Sequence, residues 1–200
     1  MNVLKLPETF YERTNVVRIA RELLGKSLFT NIDGVVTGGM IVETEAYSWK
    51  ERGCHAFNAR KTARNAVMFG PGGHAYVYMC YGIHFLFNVV TNTEDTADAV
   101  LVRALEPHTG IEVMQERRGK LSNRYHLTSG PGKLTRALGI DRQWNGRSLL
   151  ADDVWISDNG TRLSNANIVA SPRIGIDYAG EDAALPWRFT IKDNPWVSKQ

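Results

Sequence analysis

Ile41-Val42-Glu43-Thr44-Glu45-Ala46-Tyr47 (IVETEAY) is the stretch around which the rest of the chain is organised. Read as a strand, it alternates faces, so Ile41, Glu43, Glu45 and Tyr47 share one side and Val42, Thr44 and Ala46 the other. Neighbours on one face stand roughly 6 to 7 Å apart, twice the rise per residue. A small planar group lying on Tyr47 is then within reach of Glu45 through one water, the geometry of a base-activated water beside a stacked ring. The outer, solvated face of a half-buried strand has the same pattern, since Glu is rarely buried. The choice between the two rests on what the chain carries downstream.

Working outward, Val16 to Leu24 repeat at helical spacing before Gly25, with Thr14 or Asn15 as cap, and predict a packing helix over about 15–24. Leu28 to Asn31 and Val35 to Val42 read as strands joined by the hairpin signal Asp33-Gly34, the second running into the central stretch. Residues 48–75 hold glycines among Lys50, Arg52, Arg60, Lys61 and Arg64 without any sustained period. That composition predicts a long surface connection wrapped round a site, anchored to the core by Met68 and Phe69.

Ala75 to Cys80 and Phe85 to Val90 are strands about Tyr81-Gly82-Ile83-His84. A two-residue turn would set Tyr78 opposite Phe87; the preferred three-residue turn sets it opposite Asn88, with aromatic rings and an amide on one face and Tyr81 at the rim. Ala99 to Leu105 is a strand apolar except for Arg103, whose burial demands a carboxylate partner, Glu43 or Glu45. Arg103 favours an ionised Glu45 and Glu43 opposes it, with ionisation at pH 7 the expected balance.

Gly110 to Arg118 predicts a short amphipathic helix. Ser129-Gly130-Pro131-Gly132-Lys133 opens a helix ending before Gly139, and that helix start with Lys133 suits an anion or phosphate. The spacing is not that of a nucleotide P-loop. Strands near 153–157, 173–178 and 187–192 complete an α+β reading: a single mixed domain over 1–200 with a curved, mainly antiparallel sheet flanked by helices.

Composition bounds the partners loosely. The 200 residues are 43% hydrophobic, and 24 Lys and Arg against 21 Asp and Glu give +3, which permits a polyanionic partner without demanding one. Cys54 and Cys80 fall in no zinc-ligand or disulfide pattern, which suits a reducing, intracellular setting. Met1 to Glu8 lack the apolar run of a signal peptide, and no segment reaches the length of a membrane span. A monomer is expected, with neither metal nor organic cofactor.

Taken in order, IVETEAY, Cys54-His55-Ala56, Arg60-Lys61-Thr62 with Arg64-Asn65, Met68-Phe69, Tyr76-Val77-Tyr78, Tyr81-Gly82, Asn88, Leu101 to Pro107 (LVRALEP), Ser129 to Leu134 (SGPGKL) and Arg173 to Ile176 (RIGI) resemble the alkyladenine (3-methyladenine, methylpurine) DNA glycosylase family over essentially the whole length. The resemblance implies a monofunctional base-excision enzyme acting on double-stranded DNA that contains damaged purines. By it, Glu45 activates the water that attacks the anomeric carbon, Arg103 helps hold that water, and the Ile174 carbonyl is a third contact. Tyr47, His55 and Tyr78 match the side chains enclosing the extruded base, with the His55 main-chain N–H reading its edge. Asn88 matches the amide that crowds out a purine bearing an exocyclic amine at C2, and Tyr81 the ring wedged into the duplex. Lys133, Arg60 and Arg64 fall where phosphate contacts are expected.

The chain departs from the pattern where Ser48-Trp49-Lys50-Glu51 replaces a Gly-Pro and acidic sequence, where Asn58-Ala59 replaces a Gly-rich pair, and where Ala63 replaces a Pro. Those changes bear on pocket width more than on the reaction. Two rivals remain: a metal-dependent nuclease using Glu43, Glu45 and Asp98, and a non-catalytic nucleic-acid-binding module on which the tyrosines only stack.

Overall fold

The IVETEAY stretch forms the second half of a 13-residue strand, Val35–Tyr47, at the centre of a sheet that has nine strands among the described residues. The computed structural model describes residues 4–198, so Met1 to Val3 of the opening stretch lie outside the described residues. In chain order the strands are β1 (Leu4–Lys5), β2 (Ser27–Ile32), β3 (Val35–Tyr47), β4 (Ala75–Cys80), β5 (His84–Thr91), β6 (Asp98–Thr109), β7 (Val154–Asp158), β8 (Ile168–Ser171) and β9 (Arg188–Ile191). The helices are α1 (Glu8–Tyr11), α2 (Val16–Leu23), α3 (Ile111–Arg118) and α4 (Pro131–Leu138). Every strand pairing is antiparallel, and the architecture is α+β. Among the described residues no helix is long and apolar enough to cross a membrane.

The main path runs β1-β7-β2-β3-β6-β5-β4, and β9 joins β3 where β2 has ended, with β8 outside it. β3 and β2 are joined as the Asp-Gly signal predicts: Asp33 (φ 52) and Gly34 (φ 83) both turn left-handed, and Ile32 faces Val35. The Asn15 side chain accepts from the Arg18 amide and starts α2, whose Val16, Ile19, Ala20 and Leu23 are buried. Gly130 precedes α4, Pro131 occupies its first turn and left-handed Gly139 ends it, as expected.

Three register breaks lie where β3 meets β6, one between Gly38 and Gly39 and two beside the glutamates. Ile41 faces Leu105 and Glu43 faces Ala104, so Val42 is an extra residue on β3; Thr44 then faces Val102, so Arg103 is an extra residue on β6. Bulges of this kind redirect side chains. They correct the simple alternation: Ile41 packs in the main apolar core with Ala46, Val100, Val102 and Leu105 instead of sharing a face with the glutamates. Thr44 points to the same side, its hydroxyl donating to the Ala20 carbonyl of α2 at 2.8 Å.

The β4–β5 hairpin closes over three residues, Tyr81, Gly82 and Ile83, with Cys80 facing His84. Tyr78 therefore faces Leu86, and it is Tyr76 that faces Asn88, a correction to the expected register. The preferred loop length was right, but Cys80 and His84 pair directly across it, two residues tighter than that register. A slip of two keeps every side chain on its face, so Tyr76, Tyr78 and Asn88 still share one side.

The connection from 48 to 74 winds through short 3₁₀ turns at Phe57–Ala59 and Ala66–Phe69. Met68 and Phe69 anchor it in a second apolar cluster with Cys54, Ala56, Tyr76 and Ala99. No strand forms at 173–178. Pro172 has no N–H to give a ladder, Arg173 and Ile174 bond to β3 through a side chain and an amide, and Gly175 (φ 75) then turns left-handed before a 3₁₀ segment at Asp177–Ala184, with the strand falling earlier, at β8.

Candidate active site

The bulges of β3 and β6 set one guanidinium between two carboxylates. Arg103 Nε donates to Glu43 Oε1 at 3.0 Å and Arg103 Nη1 to Glu45 Oε2 at 3.1 Å, with both glutamates sealed from solvent. Glu45 has two further donors: the Tyr47 hydroxyl to Oε2 and the Ile174 amide to Oε1, each at 2.8 Å. Sequence reasoning did not foresee that the Tyr47 phenol itself bonds to the carboxylate. Ile174, whose carbonyl the resemblance assigns to the water, also contacts Glu45 directly through its N–H.

Glu43 is held still more fully. Arg188 Nε donates to Oε1 at 2.8 Å, and Ser198 donates through its amide (2.7 Å) and its hydroxyl (2.9 Å). Sequence reasoning missed both residues. Arg188 carried the same signal as Arg103, a guanidinium between apolar Trp187 and Phe189, whereas Ser198 carried none.

Burial alone would lower the Arg103 pKa, but Glu45 and Glu43 together outweigh it and push it up, so the guanidinium stays charged. Tyr47 is pushed well above the phenol range by burial and then by the Glu45 charge, which keeps its O–H a donor. Buried ion pairs stabilise only when their remaining hydrogen-bonding capacity is met, and here each carboxylate accepts at least three bonds.

Above this floor opens a cleft of about 920 Å³ whose lining includes Tyr47, His55, Tyr78, Asn88, Arg103 and Ile174. Its volume lies in the range of small-molecule sites. His55 stands edge-on to Tyr78 with ring centroids 4.6 Å apart, and its Nδ1 lies 2.9 Å from the Tyr76 hydroxyl. Although open to the cleft, His55 is desolvated by these neighbours, and with Arg64 adding repulsion its pKa falls to about 4. It is therefore a neutral ring at physiological pH. The Asn88 side-chain nitrogen donates to the Tyr76 carbonyl at 3.1 Å, which fixes the amide on the pocket wall. Asn65 holds the connection in shape, donating to the His55 and Arg60 carbonyls at 2.8 and 2.9 Å.

The rim is of opposite character. Tyr81, 87% exposed and left-handed (φ 50), projects at the hairpin tip beside exposed Ile83 and Met79. Across the mouth, Tyr178 is 68% exposed and its hydroxyl donates to the Gly53 carbonyl at 3.3 Å; sequence reasoning did not single it out. Lys133, at the start of α4, and Arg64, 5.1 Å from the Tyr78 ring, both line the cleft. Arg60 is exposed but is not part of that lining.

The nuclease alternative needs Glu43, Glu45 and Asp98 to converge with free oxygens. Asp98 instead accepts from Asn92 Nδ2 (2.9 Å) and the Trp49 amide (3.1 Å), and both glutamates are engaged by arginine. Among the described residues no group of three His, Cys, Asp or Glu side chains is placed to hold a metal ion.

Comparison with known proteins converges on one family. The profile of the methylpurine-DNA glycosylases matches residues 9–195. A Chlamydia felis protein is 46% identical over 188 residues, covering 93% of this chain and 95% of its own length. One from Carboxydothermus hydrogenoformans is 47% identical over 195 residues (98% and 99%), and one from Methanocella arvoryzae 45% over 196 (98% and 96%). All three are provisionally named 3-methyladenine DNA glycosylase.

Proposed function

Since the chain belongs to the methylpurine-DNA glycosylase family, and is thus a DNA glycosylase of DNA repair, we propose that it acts as a monofunctional enzyme. In this reading it turns damaged purines of the 3-methyladenine, 7-methylguanine, hypoxanthine and ethenoadenine class out of duplex DNA and hydrolyses their N-glycosidic bonds with a water activated by Glu45. It works as one monomeric domain, inside the cell where the genome lies. The observation that carries the reading is Glu45 itself, fixed by three donors between Tyr47, Arg103 and Ile174, all of which line the cleft.

A glycosidic bond inside a duplex is out of reach, so the nucleotide must be everted, at a cost of a few kcal/mol that is smaller for damaged or mispaired bases. Tyr81 fills the gap and offsets part of that cost. The everted base lies against Tyr47, Tyr78 and neutral His55, and stacking on such rings is worth about 1–3 kcal/mol per base. A cationic alkylated purine gains further attraction to the electron-rich faces, which an imidazolium at His55 would oppose. Asn88 stands where it crowds a C2 amine, disfavouring undamaged guanine. Lys133, Arg64 and Arg60 supply charge for the DNA backbone.

In the chemical step the C1′–N bond breaks and its electron pair leaves with the base while the water oxygen bonds to C1′. Glu45 takes the water proton and sets negative charge beside the developing oxocarbenium ion. Arg103 and the Ile174 carbonyl orient the water. An N-alkylated purine departs already neutralised; a neutral purine needs a proton as it leaves. No lysine occupies the strand positions of Glu45 or Arg103, so the reaction forms no imine, and borohydride should trap no enzyme–DNA adduct.

The test is incubation of the protein with four duplexes, each carrying one of these lesions, followed by alkaline cleavage at abasic sites, with and without a chelator. Chelator-insensitive cleavage at a lesion is expected. Strand breaks without alkali, or no base release from any duplex, would overturn the reading.

A further inference from the structure

Tyr47 has a cation on its hidden side. The Arg173 guanidinium lies 4.7 Å from the centroid of the Tyr47 ring and 5.3 Å from that of Trp187, with its side chain fully sealed from solvent. It is fixed there by the Ala46 carbonyl (2.9 Å) and the Asp182 carbonyl (3.1 Å). One face of Tyr47 is thus covered by Arg173, and the ring offers the cleft its other side.

That arrangement poses an electrostatic problem for an alkylpurine site. A ring already polarised toward one cation attracts a second less well. A purine stacked about 3.5 Å from the free face would also stand only about 8 Å from the guanidinium. At that separation two like charges of low solvent exposure repel by enough to change a rate by an order of magnitude.

The answer lies in the connection that carries His55. Glu51 accepts both arms of Arg173, at 2.6 Å (Oε1) and 2.8 Å (Oε2), and its Oε2 also takes the Gly53 amide at 2.7 Å. The pair is bidentate and buried, the strongest way to cancel a guanidinium charge. We propose that the Glu51–Arg173 pair is a specificity determinant: by neutralising the cation behind Tyr47, Glu51 sets how well the pocket accepts positively charged alkylpurines relative to neutral deaminated ones. The inference rests on the glycosylase reading and assigns neither residue a contact with the substrate. Both tune the ring that makes it.

A staple joining residue 51 to residue 173 would have the same geometry, so the experiment must separate charge from scaffold. Single-turnover release of 3-methyladenine (cationic) and of hypoxanthine (neutral), neither of which carries a C2 amine, is measured for the wild type, Glu51→Gln and Arg173→Gln. Charge tuning moves the ratio of the two rates in opposite directions. Glu51→Gln leaves Arg173 uncompensated and lowers the 3-methyladenine-to-hypoxanthine ratio by about tenfold; Arg173→Gln leaves a lone anion and raises it.

A scaffold role slows both bases together in both variants, and a ratio unchanged, or displaced the same way in each, overturns the proposal. If one variant fails to fold, the sign in the other decides. A wild type that releases hypoxanthine but no 3-methyladenine also overturns it, since a cation-tolerant pocket is the premise. If only 3-methyladenine is released, the variants' affinities for a duplex with an uncharged abasic analogue serve as the neutral reference. Release of neither base refutes the glycosylase reading itself, a result visible before any variant is made.

Discussion

The floor and the rim of the cleft are built on opposite principles. On the floor, Glu43, Glu45 and Arg103 are buried within bulged central strands with Arg188 buried on the adjoining β9, and each carboxylate is tied by several donors. At the rim, Tyr81, Ile83 and Tyr178 stand largely in solvent. A charge that must act on a developing cation gains from a fixed, water-poor setting, because no reorganisation is left for the moment of reaction. A ring that must enter a duplex has to be unengaged beforehand. The contrast implies that floor substitutions damage rate and stability, whereas rim substitutions damage affinity alone.

The largest expected effect tests the floor's chemistry. Glu45→Gln keeps the size and most of the contacts of the carboxylate but removes its basicity and charge, and should slow base release by roughly 10²- to 10⁴-fold. Its affinity for a lesion duplex, measured by fluorescence anisotropy, should stay close to wild type. Loss of binding in step with loss of rate would make Glu45 a recognition group and dissolve the division.

Next is the floor's stability. Arg103→Met leaves Glu43 and Glu45 facing each other with one cation fewer, and breaking a buried pair in this way costs about 3–5 kcal/mol. Urea unfolding should register that loss. An unfolding midpoint within error of wild type would mean that Arg188, Ser198, Tyr47 and Ile174 suffice without it.

The rim should behave otherwise. Tyr81→Ala removes an exposed ring from a hairpin tip, so its unfolding should change by less than about 0.5 kcal/mol, as surface substitutions do. Its affinity for a lesion duplex should fall by about 1–3 kcal/mol, the worth of one stacked aromatic. A destabilisation matching that of Arg103→Met would show the hairpin tip to be structural.

This contrast also explains what could be read in advance. The rim and the pocket walls were legible because their logic is local: a tyrosine beside a tight turn, an amide in an apolar strand, a lysine at a helix start. The need of Arg103 for a carboxylate followed from the cost of burying a guanidinium, though not its hold on both glutamates. That depends on Val42 and Arg103 each being an extra residue between partner strands, a property of the pairing and not of either strand. The same limit hid the turn that brings the Ile174 amide to Glu45 and misplaced a strand at 173–178. Arg188 was within reach of the argument applied to Arg103, and Ser198, an ordinary serine after Trp196-Val197, was not.

His55 sits where the two regimes meet, open to the cleft yet desolvated by Tyr76 and Tyr78, and it gives the smallest predicted effect. Its pKa is lowered from 6.5 to about 4, first by burial and then by Arg64, so the unfolded chain binds a proton that the folded one refuses. Stability from this group is complete above about pH 6.5 and is lost as pH falls toward 4. Because the ring is open to the cleft, solvent screens much of the effect, and about 1 kcal/mol is expected. Urea unfolding of wild type and His55→Phe at pH 7 and pH 4.5 isolates it, since every other titrating group is common to both proteins. The wild type should lose about 1 kcal/mol more than the variant. Equal losses would mean that His55 titrates as an ordinary rim residue, and the neutral wall needed beside a cationic purine would then hold only above the usual histidine range.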